Sequence, residues 1–112
     1  MKPKPLFKMK VRFHFREHGE NRRNWFLFGD DLVRRVPMEM ENVEGLNTVA
    51  MYIEKEQKFI KGDECEVDCI VIAPELFKGN IDTGSKGALW DGGFFADTEI
   101  IELYPDNWPD GL

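Results

Sequence analysis

An unbroken alternation of apolar and basic side chains near the start of the chain most constrains its fold. The apolar members are Phe7, Met9, Val11, Phe13 and Phe15, and the basic members between and after them are Lys8, Lys10, Arg12, His14 and Arg16. Successive side chains of a β-strand point to opposite faces of the sheet. The segment therefore predicts a strand with one face in a hydrophobic core and one cationic face.

Turn residues divide the rest of the chain into further short apolar stretches. The run Trp90-Asp-Gly-Gly93 joins two of them, and Asp-Gly and Gly-Gly favour the positive φ angles of tight hairpins. Pro37 lacks an amide donor, which predicts that its strand lies at an edge or begins there. Gly45 to Asn47 is expected to form a turn, and residues 80–87, rich in Gly, Ser and Thr, a mobile loop. Other strands are predicted near residues 25–28, 36–40, 48–53, 65–72 and 87–103.

Short strands at this spacing, with no sustained helical period, predict an all-β barrel or an all-β sandwich. The 112 residues suit a single domain over residues 1–112. We expect a closed antiparallel β-barrel of about six strands, of Greek-key type, with its core roughly within residues 5–103 and an irregular tail at 104–112. The side chains expected in that core are Phe7, Met9, Val11, Phe13, Val67, Cys69, Leu89 and Ile100.

The net charge of −6 hides an uneven distribution of charge along the chain. Residues 1–35 carry ten basic and four acidic side chains, whereas residues 36–112 carry five and seventeen. Such asymmetry is typical of a basic nucleic-acid face, of an acidic partner-binding face, or of segments that neutralise each other. The third case predicts that the basic face of residues 8–12 lies beside Glu64, Glu66 and Asp68, each pair contributing roughly 0.2–1 kcal/mol.

The cysteines and histidines predict no metal site and no nucleophile. Cys65 and Cys69 are four residues apart, as are His14 and His18. Along a strand that spacing covers roughly 13 Å, too far for two ligands of one ion, and too far for a disulfide. The acidic neighbours of Cys65 oppose formation of a thiolate. We therefore expect no enzymatic activity, no metal and no small-molecule cofactor.

The N-terminus, Met1-Lys-Pro-Lys-Pro-Leu6, is basic but has no apolar stretch behind it. This favours a chain without a signal peptide. No segment approaches the length of a membrane-spanning helix. The expected location is cytoplasmic, without membrane contact.

Three segments, in this order, resemble the C-terminal β-barrel domain of translation elongation factor Tu. Residues 8–16 are similar to its opening strand, which is followed by a turn with Gly19, Arg22 and Arg23. Residues 59–74 are similar to its glycine-aspartate turn and long strand, and residues 87–103 to its last hairpin. The resemblance spans roughly residues 5–103. It implies that this chain is a stand-alone protein with the same barrel. Such a barrel carries no catalytic group and serves as a docking surface.

The chain also departs from that family. Asn24-Trp25 replaces Thr-Pro after the basic turn, and Phe94 replaces an arginine after the paired glycines. Asp97 and Glu99 occupy a strand that is glycine-rich in the family. In the family, the basic turn and the surface around these hairpins take part in docking transfer RNA. Loss of an arginine and gain of two carboxylates weaken contact with phosphate, so only weak RNA binding is expected.

The resemblance and the aromatic residues together suggest where a partner binds. The turns at residues 19–25 and 90–95 each carry large rings, which are common in interface hot spots. The expected partner-binding residues are Arg22, Arg23, Trp25, Trp90, Asp91, Phe94 and Phe95. If the rings instead cap the ends of the barrel, they belong to the core.

The favoured function is a protein-interaction module with an elongation factor Tu-like barrel, linked to translation, whose partner is another protein. One alternative is a small acidic immunity or inhibitor protein that neutralises a basic toxin. Its decoy surface would comprise Glu39, Glu41, Glu44, Glu54 and Glu56. The other alternative is a weak RNA-binding module that uses the basic strand and Arg22-Arg23.

Overall fold

Six of the eight β-strands form a closed antiparallel barrel in the computed structural model, which describes residues 3–16 and 24–109. The strands are β1 (Phe7–Phe13), β2 (Trp25–Phe28), β3 (Val33–Met40), β4 (Val43–Tyr52), β5 (Gln57–Ile60), β6 (Glu64–Val71), β7 (Lys86–Trp90) and β8 (Phe94–Leu103). A one-turn helix α1 (Pro74–Phe77) and a 3₁₀ turn (Pro105–Asn107) complete the secondary structure of the described residues. The order around the barrel is β1-β6-β4-β3-β7-β8, and β8 pairs with β1 to close it. The predicted all-β class and six-stranded closed barrel are confirmed.

Strand β1 alternates as the sequence predicts, but it ends earlier than expected. Its four apolar side chains are at most 1% exposed. The alternation up to Arg16 had predicted a longer strand. After Phe13 the backbone turns, because Phe15 has a φ of 57° and the amides of both His14 and Phe15 donate to the carbonyl of Phe95. All eight residues predicted for the core lie in one buried cluster.

Strands β2 and β5 form a separate two-stranded antiparallel sheet, which we call the ribbon. Its inward side chains, Phe26, Phe28 and Phe59, are buried. Phe26 and Phe59 lie 5.4 and 5.1 Å from Phe13 between ring centroids, at the end of β1. The sequence had marked β2 as an apolar run but had not identified β5 or this pairing. The phenylalanines of the ribbon thus form a second layer that covers the end of β1, and this packing holds the ribbon on the barrel.

The turn between β3 and β4 differs from the prediction. Gly45 to Asn47 lies inside β4, and the chain reverses instead at Glu41-Asn42, where Asn42 has a φ of 65°. Gly45, with a φ of 78°, sits where the pairing register between the two strands shifts, as in a β-bulge. Gly45 therefore marks a bulge and not a turn. The sequence could not distinguish the two, because turns and bulges both use glycine at positive φ.

Pro37 was expected to lie in an edge strand or at the start of a strand. It lies in the middle of β3, so the second alternative is wrong. It pairs with Thr48 of β4 on one side. On the other side, pairing with β7 begins only at Met38. Pro37 is therefore at a locally open edge of a strand that is otherwise inside the barrel, which is where a missing amide donor costs least.

Two segments expected to be irregular are held in place by hydrogen bonds. In the loop before β7, Ile81 and Ser85 are buried, and the backbone of Gly84 and Ser85 exchanges hydrogen bonds with Ile100. After β8, Trp108 is 4% exposed and its indole Nε1 donates to the carbonyl of Leu6 at 2.9 Å. The core therefore extends past residue 103, and the predicted mobile loop is tied to β8.

The predicted hairpin between β7 and β8 is confirmed, with a different turn geometry. Gly92 has a φ of 73°. Trp90 pairs with Phe94, and the register shifts between Leu89 and Trp90. The connection is thus a three-residue turn with an irregularity beside it.

The part of the chain that the structure describes contains no helix long and apolar enough to cross a membrane.

Replacing Phe13 by Ala tests the role of the aromatic cluster. The ring is 1% exposed and packs on four other phenylalanines, so its loss should lower the free energy of unfolding by about 3–5 kcal/mol. The measurement is chemical denaturation followed by circular dichroism. Leu27→Ala, at a side chain that is 42% exposed, is the control and should cost less than about 1 kcal/mol. Equal losses for the two variants would contradict the assigned core.

Candidate protein-docking surface

The basic face of β1 lies between two acidic strands. On the β6 side, Lys8, Lys10 and Arg12 pair with Asp68, Glu66 and Glu64. On the β8 side, the same three residues pair with Glu102, Glu99 and Asp97. The predicted neighbourhood of the basic and acidic strands is confirmed. The second acidic strand was not expected, because pairing of β1 with β8 depends on closure of the barrel.

The carboxylates on both sides of β1 also make individual ion pairs, one with β7 and one with β1 itself. Lys86 Nζ lies 2.8 Å from Glu99 Oε1, and this hydrogen bond raises the pKa of Lys86 and lowers that of Glu99. Lys10 Nζ lies 3.9 Å from Glu64 Oε2. A polyanion that approached β1 would meet carboxylates on both sides of every lysine. This face is therefore poorly suited to bind phosphates.

The thiols and His14 lack the environment that nucleophiles need. Burial raises the pKa of the Cys65 thiol to about 12, with Asp63 and Glu66 adding to the effect, and burial also raises that of Cys69. His14 Nδ1 accepts the backbone N–H of Arg16 at 2.9 Å, and its Nε2 lies 3.4 Å from Asp97 Oδ1. Both ring nitrogens are therefore engaged. Within residues 3–16 and 24–109, no three His, Cys, Asp or Glu side chains are grouped as metal ligands.

The outer side of the ribbon exposes three large apolar side chains. Trp25 is 37% exposed, Leu27 42% and Ile60 55%, and Trp25 lies directly across from Ile60 in the β2–β5 pairing. Lys58, opposite Leu27, places its Nζ 5.6 Å from the centroid of the Trp25 ring. We call this surface, formed by Trp25, Leu27, Lys58 and Ile60, the ribbon face. Contiguous exposed apolar side chains with a polar rim are typical of interaction sites.

The strict alternation within β2 explains why these residues are exposed. Phe26 and Phe28 are buried against the barrel, so Trp25 and Leu27 must point to the opposite side. Sequence reasoning selected Trp25 but missed Leu27 and Ile60. The four-residue alternation in β2 could have indicated Leu27. Ile60 had no comparable signal, because its exposure depends on pairing with β2.

Side chains occupy the backbone groups of the ribbon at two of its edge positions. Arg34 Nη1 donates to the carbonyl of Leu27 at 2.6 Å, and its guanidinium carbon lies 4.2 Å from the centroid of Phe26. The amide of Ile60 donates to Asp63 Oδ2 at 2.8 Å, and its carbonyl accepts the amide of Asp63. An added strand cannot pair at these positions without displacing a side chain. The ribbon thus offers a partner its face more readily than its edges.

The second predicted turn, between β7 and β8, contributes less surface than expected. Trp90 and Phe94 are half-buried and Asp91 is exposed. Phe95 was predicted to bind a partner, and this is corrected: it is 1% exposed and stacks on Phe13, Phe15 and Phe26. Its position after a turn suggested exposure, but the strand turns its ring inward. The predicted residues Arg22 and Arg23 lie outside the described residues.

A groove lies at the barrel rim, beside the end of β1 and the turn that follows β5. Arg12, His14, Arg16, Lys61 and Asp97 contribute to its lining. His14, Arg16 and Asp97 also line the neighbouring depression that contains Phe94. Lys61 follows Ile60 of the ribbon face in sequence. The surroundings of Phe94 and the ribbon face are therefore connected along one rim. Its residues Arg12, His14 and Arg16 belong to the basic segment of the RNA-binding alternative, whereas Lys61 was not predicted to belong to a site.

The five glutamates of the alternative decoy surface do not form one surface. Glu39, Glu41 and Glu44 lie at the hairpin between β3 and β4, and Glu54 and Glu56 lie between β4 and β5. The ten-residue strand β4 separates the two groups by roughly 30 Å. In addition, Glu41 Oε1 accepts the amide of Lys86 at 2.8 Å. The acidic residues therefore divide between opposite ends of β4.

Reversing the charge of Lys10 tests the compensation around β1. Lys10→Glu would place a third carboxylate between Glu66 and Glu99, so the melting temperature should fall by roughly 2–8 °C at low ionic strength. The decrease should shrink in 1 M NaCl, where the Debye length is about 3 Å. Lys4→Glu makes the same charge change outside the strand and should have little effect. A decrease that is independent of salt would argue against electrostatic repulsion.

Thiol reactivity tests the environment of β6. With a pKa of about 12 against an ordinary value of 9.0, Cys65 should react with Ellman's reagent at pH 8 roughly 1,000-fold more slowly than a free thiol. Cys69 should be slower still, and both should react at once in denaturant. The unfolded chain releases the Cys65 proton at a lower pH than the folded chain. Stability should therefore decrease as pH rises from about 9 towards 12. Rapid reaction of the native protein at pH 8 would show that Cys65 is accessible and ionised.

No protein-family profile matches this chain, and no curated protein matches its sequence.

Proposed function

We propose that this protein is a non-catalytic interaction module that binds another protein through the ribbon face. The observation that carries the proposal is the exposure of Trp25, Leu27 and Ile60 side by side on a sheet whose opposite side is buried. Tryptophan is among the residues most enriched in interface hot spots. The apolar side chains would lose contact with water when a partner covers them, at a gain of about 25 cal/mol per Å².

The chemistry of the remaining surface is consistent with a binding role. The Cys65 thiol is hard to ionise, and both nitrogens of His14 are already engaged. The basic face of β1 is compensated by two acidic strands, which disfavours the RNA-binding alternative. The acidic-inhibitor alternative is disfavoured by the division of its glutamates between the two ends of β4. We propose no second function.

The resemblance to the C-terminal domain of elongation factor Tu remains part of this proposal. A closed barrel of six antiparallel strands is compatible with it, and so are the Gly62-Asp63 turn before β6 and the hairpin at Asp91 to Gly93. Barrels of this architecture host many functions, so the likeness supports a docking role only by analogy. A link to translation and a cytoplasmic location are likewise proposals that rest on the sequence.

A double substitution tests the proposal. Trp25→Ser with Ile60→Ser should abolish recovery of the partner in affinity capture followed by mass spectrometry, because both apolar side chains would leave the interface. The two side chains are 37% and 55% exposed, so the unfolding midpoint should change little. The matched control is Ile72→Ser, which removes a 74% exposed side chain just beyond the far end of β6.

Only one pattern of results supports the proposed function: a protein recovered with the wild-type chain and the Ile72→Ser variant, and lost with the double variant. Equal recovery with all three proteins would show that binding does not use the ribbon face. Loss with both variants would indicate general apolar adhesion. Unfolding of the double variant would assign Trp25 and Ile60 to the core and remove the basis of the proposal.

A further inference from the structure

We infer that the ribbon face accepts an acidic, apolar peptide segment of its partner, with the partner's carboxylates placed at the end where Trp25 pairs with Ile60. The inference rests on the proposed function and adds the chemistry of the partner. It is carried by the distribution of charge around the ribbon, which is independent of the apolar exposure that identified the surface.

Basic side chains collect at one end of the ribbon. Lys58 places its Nζ 5.6 Å from the Trp25 ring centroid, and the exposed Lys61 directly follows Ile60. Beyond Lys61, the rim groove adds Arg12 and Arg16. Two carboxylates also lie here: Asp97, whose Oδ2 is 3.8 Å from Arg16 Nη2, and Asp63, whose Oδ2 accepts the amide of Ile60. The four basic side chains outnumber them. A local excess of positive charge in a chain of net charge −6 favours an anionic partner at this position.

Acidic side chains collect at the opposite end of the ribbon. Asp30 and Asp31 follow β2, and Glu54 and Glu56 precede β5, with Lys55 between them. All five are exposed. The four carboxylates would repel further carboxylates placed beside Phe28 and Gln57, which form the pair at this end. The charge gradient along the ribbon therefore specifies an orientation, with the acidic part of the segment near Lys58 and Lys61 and not at the β2–β3 loop.

The partner is recognised through side chains and not mainly through an added β-strand. Arg34 already occupies the carbonyl of Leu27, and Asp63 occupies both backbone groups of Ile60. Strand addition depends on free backbone groups along an edge. A segment lying across the face can instead cover Trp25 and Ile60 with apolar side chains while its carboxylates reach the lysines. Such a segment combines apolar residues with Asp or Glu.

A peptide fits this surface better than a nucleic acid does. A nucleic acid carries charge at every phosphate, so its chain would also meet Asp97 in the groove or the four acidic side chains at the other end of the ribbon. A peptide can place its carboxylates only where the basic residues lie. The inference therefore commits to a protein partner, and nucleic-acid binding becomes an outcome of the test.

The test is selection from a random library of 12-residue peptides displayed on phage, with the full chain immobilised. The double variant Trp25→Ser, Ile60→Ser is used in parallel to subtract unrelated binders. Peptides enriched on the wild-type chain should carry net negative charge together with aromatic or aliphatic residues. A fluorescein-labelled copy of the most enriched peptide is then titrated and its dissociation constant measured by fluorescence anisotropy.

Charge reversal at the lysines separates this inference from general stickiness. Lys58→Glu with Lys61→Glu should weaken binding of that peptide by about tenfold or more, and binding should weaken from 50 mM to 500 mM NaCl. The control, Lys4→Glu with Lys78→Glu, changes the net charge equally at positions outside the ribbon and its groove, and should retain the wild-type affinity. Enrichment of acidic, apolar peptides that lose affinity only with the ribbon variants supports the inference.

Each other outcome overturns part of the argument in a distinguishable way. Enriched peptides that are neutral or basic, but that require Trp25 and Ile60, would retain the docking surface and refute the acidic partner. No enrichment over the double variant would refute both. Equal weakening by the control charge reversals would show that only net charge matters. Tighter binding of a 20-nucleotide single-stranded RNA than of any peptide at 150 mM NaCl, lost in the lysine variants, would replace the acidic partner with a nucleic acid.

Discussion

The ring of Phe13 lies at the centre of a cluster of phenylalanines that joins the barrel to the ribbon. Its centroid is 5.1 Å from that of Phe59, 5.4 Å from Phe26 and 6.3 Å from Phe95. Phe13 belongs to the barrel, Phe26 and Phe59 to the ribbon. An isolated two-stranded sheet is at best marginally stable in water, so the ribbon depends on this contact. The contact also determines which ribbon side chains face solvent, because the alternation in β2 and β5 leaves no other position for Trp25 and Ile60.

Closure of the barrel has a second consequence, for the charged surface. Strand β1 has two neighbours, β6 and β8, and both present carboxylates to its basic side chains. An open sheet with β1 at its edge would leave one side of that basic face uncompensated. The strand with the most regular basic pattern is therefore not the most available basic surface. A basic side chain outside that compensated strand is Lys61, which follows β5 of the ribbon and lines the groove at the end of β1.

Several features of this protein could be predicted from short-range patterns. The two faces of β1, the hairpin at Gly92 and the compensation of Lys10 by the acidic face of β6 follow from alternation and turn chemistry. The errors have two physical origins. Positive φ occurs in turns and in bulges alike, so Gly45 was assigned to a turn. Irregular sequence implies nothing about distant partners, so the docking of Trp108 on the carbonyl of Leu6 could not be expected.

The candidate site likewise divides into features that local sequence determines and features that depend on distant contacts. The sequence by itself determined that Trp25 and Phe26 point in opposite directions and that residues 7–13 separate apolar from basic side chains, because the geometry of a single strand imposes both. Only the tertiary structure decided which face of the apolar strand β2 is buried, that β2 pairs with β5 and β1 with β8, and that Phe95 is core while Ile60 is surface. Those outcomes depend on pairing between segments far apart in the chain. That pairing is selected by closure of the barrel and by the packing of rings around Phe13, and no local pattern encodes either.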